Sequence, residues 1–96
     1  MSYNLIIKEE AVEDIQNVYE YYEYCKTGLG ERFLIILEEY LDTVQKHPLH
    51  YQIKRKTFRE APIRVFPYLI IYEIVDKNVI VYAVFNTSRN PSKKPK

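Results

Sequence analysis

One cysteine, two histidines and two glycines in 96 residues close several routes to chemistry before any motif is sought. Cys25 has no second thiol to pair with inside the chain, which excludes an internal disulfide. The opening Met-Ser-Tyr-Asn-Leu shows no basic segment followed by a long apolar run. Both features lead to the expectation of a reduced, soluble, cytoplasmic chain with no membrane span. His47 and His50 flank Pro48 with no cysteine or acidic pair at ligand spacing, so no metal site is expected and both read as loop surface. Gly28 and Gly30 fall in one stretch, Lys26-Thr-Gly-Leu-Gly30, which leaves no glycine-rich loop to cradle a phosphate and no cofactor to expect. Cys25 as a nucleophile would need a base delivered by the fold, whereas the helical spacing below accounts for it as a small buried apolar residue.

What the chain does have is 47% hydrophobic residues, enough for one core and one domain. That domain is expected over residues 1–89, with 90–96 as a basic, solvated tail. Its centre is the run from Arg64 to Arg89, where two stretches dense in Val, Ile, Tyr and Phe flank Asp76-Lys77-Asn78. A polar break between β-branched runs predicts a hairpin of strands at about 67–75 and 79–86. Tyr68, Ile70, Tyr72 and Ile74 alternate with Leu69, Ile71 and Val75, so both faces of the first strand are apolar except at Glu73.

Tyr3–Lys8 predicts one more strand. From Glu9 the period changes: Ala11, Ile15, Val18, Tyr22 and Cys25 recur at steps of four and three, predicting a helix to about Tyr24. Phe33, Ile36, Leu37, Tyr40, Leu41 and Val44 repeat the pattern until Pro48, after a turn at Lys26–Gly30. Leu49–Lys56 reads as a loop into a strand over Thr57–Arg64 that Pro62 places at an edge or a bulge. The fold class is therefore α+β in the order β-αα-βββ: a mostly antiparallel sheet with a two-helix hairpin packed on one face. Two helices cover only one face. The other is either an apolar patch for a protein partner or is partly buried by curling of the sheet.

Net charge is +1, but residues 1–47 hold four basic and ten acidic side chains and residues 48–96 hold ten basic and three acidic. Lys54, Lys56, Arg59, Arg64 and Arg89 are candidates for contact with phosphate or an anionic target. Ten tyrosines are many for this length. Tyr19, Tyr21, Tyr22 and Tyr24 exceed what one core-facing stripe accepts, and Tyr19, Tyr21, Tyr68, Tyr72 and Tyr82 are candidates for a protein interface.

Glu10-Ala11 and Asp14-Ile15 open the first helix and Tyr21-Tyr22 lie near its end; Gly28-Leu-Gly-Glu-Arg-Phe33 opens the second and His47-Pro48 closes it. Arg64-Val-Phe-Pro-Tyr-Leu-Ile-Ile-Tyr72, Val81-Tyr-Ala-Val-Phe85 and Thr87-Ser-Arg-Asn-Pro91 follow. In order and spacing these strings resemble the RelE/ParE superfamily of bacterial toxins from type II toxin–antitoxin pairs, over nearly the whole chain. The resemblance implies a growth-inhibiting or plasmid-stabilising toxin neutralised by a cognate antitoxin, with a homodimer left open. Superfamily members that cleave messenger RNA on the ribosome use an arginine and a histidine where this chain has Leu69 and Asn86, so no catalytic residue is assigned. Arg89 matches a basic position of that branch, and Lys54, Lys56 and Glu60 are the groups that could compensate. Asp14-Ile15 and the Gly28–Gly30 turn resemble the ParE-like branch, whose characterised members bind DNA gyrase. The alternatives are a ribosome-dependent endoribonuclease and a toxin-derived protein without toxicity.

Overall fold

The computed structural model describes residues 3–88. Strand β1 (Asn4–Ile7) leads into α1 (Glu9–Cys25) and α2 (Leu29–Lys46). Strands β2 (Ile53–Arg55), β3 (Phe58–Pro62), β4 (Tyr68–Val75) and β5 (Asn78–Asn86) follow. The expected order is kept, with one addition: Ile53–Arg55 inside the expected loop forms a short edge strand. The sheet runs β1-β5-β4-β3-β2, antiparallel except where β1 lies parallel to β5. Pro62 is tolerated because β2 pairs only with Phe58 and Arg59, leaving no strand among the described residues on that side of Pro62 to need its missing N–H.

Each helix buries the stripe its spacing prescribes. Ala11 and Val18 from α1 and Phe33, Leu37, Leu41 and Val44 from α2 meet Ile70, Tyr72, Val79 and Val81 in the main core. Cys25 departs from the expectation: it is exposed, because the buried stripe of α1 ends at Tyr22 and Cys25 is the last residue before the turn. Gly30, expected in that turn, is instead buried in the first turn of α2.

The hairpin of β4 and β5 carries a bulge that sets the faces of the sheet. Ile71 pairs with Ala83 but Tyr72 pairs with Val81, so Tyr82 is the extra residue. Before the bulge odd positions of β5 (Val79, Val81) face the helices; after it the even Val84 does. Ala83 and Phe85 turn to the opposite face, joining Leu69, Ile71 and Phe58 in a second small cluster. Leu69, Ile71 and Ala83 are only 7%, 2% and 6% exposed. Of the two readings of this face, partial burial holds: it is not a bare apolar layer.

The tail expected at 90–96 lies outside the described residues. No helix among the described residues is long and apolar enough to cross a membrane.

Candidate protein-binding groove

Strand β1 stops at Ile7, opposite Val81, and beyond that point α1 runs beside the last part of β5 with no strand among the described residues between them. The gap is an open groove of about 1120 Å³, walled by Asp14, Tyr21 and Tyr22 of α1 and by Tyr82, Val84 and Asn86 of β5, with Tyr68 and Pro67 closing one end. Asp14 reaches across it: its Oδ2 accepts a hydrogen bond from the Val84 backbone N–H at 3.1 Å. A carboxylate thus satisfies the kind of donor that a neighbouring strand satisfies further along β5. Helical spacing places Asp14 one turn before Val18 on the wall of α1, a position that the acidic run of the first turns masks in the sequence.

Beneath the groove lies an aromatic cluster. Tyr22 packs edge-on to Phe66 (4.9 Å between centroids) and to Tyr68 (6.3 Å), and Phe33 packs edge-on to Phe66 (5.3 Å). Such edge-to-face contacts fix ring orientation as well as area. Burial, reinforced by the neighbouring Tyr68 hydroxyl, pushes the Tyr22 phenol up to about 12. Tyr21 is also raised, chiefly by its hydrogen bond to Cys25, and Tyr82 is raised by burial and by its hydroxyl donating to Glu73 Oε1 at 2.8 Å. At neutral pH these phenols keep their protons: they can donate hydrogen bonds and stack, but they are poor general bases. At the mouth, Asn86 Oδ1 accepts from the Ser88 N–H (2.8 Å) and the Ser88 hydroxyl (2.6 Å), while its amide donates to the Tyr68 hydroxyl at 3.4 Å.

The groove unites three of the five tyrosines proposed for an interface: Tyr21, which is 59% exposed, Tyr68 and Tyr82. Tyr19 stands half-buried on α1, its backbone against Gly30. Tyr72 is corrected from interface to core, for it is fully buried and its hydroxyl donates to the Pro48 carbonyl at 2.6 Å. The basic candidates do not converge. Lys54 and Lys56 are exposed on the β2–β3 hairpin; Arg59 is half-buried, its guanidinium donating to the Tyr51 carbonyl at 2.6 Å. Arg64 follows the opposite end of β3, where its backbone N–H donates to the Tyr40 hydroxyl at 3.1 Å. Arg89 lies outside the described residues. Leu69 is buried on the sheet face away from the helices.

Comparison with known proteins follows the same lines. The family model for the ParE toxin of type II toxin–antitoxin systems matches residues 5–91. Proteins of curated function yield no match. Among solved structures, the chromosomal ParDE toxin–antitoxin system from P. aeruginosa superposes with a TM-score of 0.82 at 11% identity, over 91% of this chain and 98% of that one. The isolated RelE toxin of E. coli gives 0.63 at 19% identity, over 95% and 90%. The intact E. coli RelBE toxin–antitoxin complex gives 0.65 at 19% identity, over 92% and 100%.

Proposed function

The chain belongs to the ParE toxin family of type II toxin–antitoxin systems, and on that premise we propose that it acts in the cytoplasm by binding a target, with DNA gyrase the first candidate. We further propose that a cognate antitoxin neutralises it by occupying the groove between α1 and β5. The observation that carries the second step is the groove itself: exposed Tyr21 on the α1 wall, the last part of β5 as the other wall, and Tyr68 closing one end over a cluster of fixed rings. Rigid aromatic side chains with a polar tip supply contact area at low entropic cost and dominate many interfaces. Binding rather than catalysis is favoured by the chemistry present. At the positions where nuclease relatives place arginine and histidine, Leu69 cannot hold a phosphate and Asn86 cannot move a proton, and the raised phenols of the groove are poor bases at neutral pH.

The test has two arms. Inducing the chain alone in a bacterium should arrest growth with a DNA-damage response and intact transcripts; codon-positioned transcript cleavage, or unimpaired growth with folded protein present, overturns the reading. In the second arm, Tyr21→Asp is compared with the natural chain for binding the protein encoded by the adjacent reading frame. The ring is exposed, so the variant should keep its circular dichroism spectrum while affinity falls by about 30-fold, the size expected for loss of an aromatic anchor. Unchanged affinity would place the antitoxin elsewhere.

A further inference from the structure

At the sheet edge opposite the groove, Lys54, Arg55 and Lys56 follow one another on β2 and the turn into β3, all exposed. From Pro48 to Arg64 the chain has five cations and a single carboxylate, Glu60, and the Glu73 carboxylate of β4 reaches the turn only at Thr57. Edge strands often carry a lysine to discourage pairing with other chains, but three consecutive cations on a three-residue strand and its turn exceed that need.

The hairpin is also held in shape. Lys56 sits at φ +53 in the two-residue turn between the paired residues Arg55 and Phe58. The Thr57 hydroxyl is hydrogen-bonded to the Glu73 carboxylate on β4, and Arg59 is tied to the Tyr51 carbonyl. The hydroxyl of Tyr72 anchors the preceding loop at Pro48. A charged ribbon fixed in this way loses little freedom on meeting a polyanion.

We propose that the β2–β3 hairpin binds the phosphate backbone of duplex DNA without reading its sequence. The choice of duplex rests on shape and composition. A two-stranded ribbon has the width that the major groove admits. The tip, Ile53-Lys-Arg-Lys-Thr57, has no aromatic ring on which an unpaired base could stack and no amide side chain to read a base edge. The proposal is independent of the groove and of the toxin reading, because it depends only on this hairpin.

Fluorescence anisotropy with a labelled duplex of about 20 base pairs tests it. Two or three neutralised phosphates give a slope of log affinity against log salt of about −1.8 to −2.7, a fall of about 12- to 40-fold between 50 and 200 mM salt. Lys54→Ser/Arg55→Ser/Lys56→Ser, checked for folding by circular dichroism, should bind at least tenfold more weakly at 50 mM with a flatter slope. Lys26→Ser/Lys77→Ser removes exposed cations elsewhere and should bind like the natural chain. All three proteins keep the basic C-terminal residues. Equal binding by the triple variant, an equal loss in the double variant, preference for single-stranded DNA of the same length, or no binding at 50 mM salt each overturns the proposal.

Discussion

Gly30→Ala should destabilise the protein even though alanine is the better helix former. Gly30 lies in the first turn of α2, where exchanging glycine for alanine ordinarily gains about 1 kcal/mol. Here a Cβ would stand 2.6 Å from the Tyr19 carbonyl oxygen, 2.7 Å from Glu23 Cγ and 2.9 Å from Tyr19 Cδ1. The first contact is with the backbone of α1 and cannot be relieved by a rotamer change, so the two helices must separate. Separation also strains the cap between them. Glu23 Oε1 accepts hydrogen bonds from the N–H groups of Gly28 (2.9 Å), Gly30 (2.9 Å) and Glu31 (3.3 Å), placing a negative charge at the positive end of α2. Overpacking costs about 1–3 kcal/mol and a weakened charge-assisted bond a further 1–2 kcal/mol. Net of the propensity gain, roughly 1–4 kcal/mol is lost, or about 4–8 °C of Tm for each kcal/mol. Urea unfolding should show a lower midpoint with an unchanged slope. Gly28→Ala is the control with a different cause: nothing lies within 4 Å of its Cβ, and only its φ of +90 opposes the change, at about 1 kcal/mol. A Gly30→Ala protein as stable as the natural one would refute the close packing of the helices.

Three further outcomes follow from two side chains that do not line the groove. Tyr72→Phe leaves the Pro48 carbonyl without its donor, which should cost about 1–3 kcal/mol in urea unfolding. Burial pushes the Tyr72 phenol up to about 12 from the ordinary 10. The folded state therefore holds a proton that the unfolded state releases between these values, so stability present below pH 10 is lost as pH rises to 12, and Tyr72→Phe should flatten that decline. Val65 is β-branched, 74% exposed and held at φ +79, so Val65→Gly should raise the urea midpoint by about 1 kcal/mol of stability; a fall would mean that its side chain makes a contact worth more than the strain.

The helices were legible because each buries a stripe of large apolar residues over four or five turns, long enough for period 3.6 to show. The hairpin was legible for the same reason at period two. Features that depend on one residue were not. Gly30 and Cys25 were both misplaced near the inter-helix turn, since where a buried stripe ends depends on how far the partner helix extends. The strand at Ile53–Arg55 is too short to carry a period, and its charges read as loop. For the groove, the surplus of tyrosines pointed to Tyr21, Tyr68 and Tyr82, but Asp14 and Glu23 were hidden among ten acidic residues of the first 47. Their roles come from backbone N–H groups that the fold brings to them, three to Glu23 and that of Val84 to Asp14.

The bulge at Tyr82 decides what lies on the sheet face away from the helices. One inserted residue moves Ala83 and Phe85 onto that face beside Leu69 and Ile71, and Tyr82 packs edge-on to Phe58 at 5.3 Å. The space above the central strands is thereby filled with apolar and aromatic groups. The Tyr82 hydroxyl, drawn to the same face, donates to Glu73, which also takes the Thr57 hydroxyl. A phosphate brought to the middle of this face would meet the Glu73 carboxylate, and a negative neighbour there raises the cost of binding an anion. The cations Lys54 and Lys56 stand on the hairpin at the sheet edge, while Arg64 lies beyond the other end of β3. Register thus fills the middle of this face with apolar and aromatic groups around Glu73 and leaves Lys54 and Lys56 at the sheet edge.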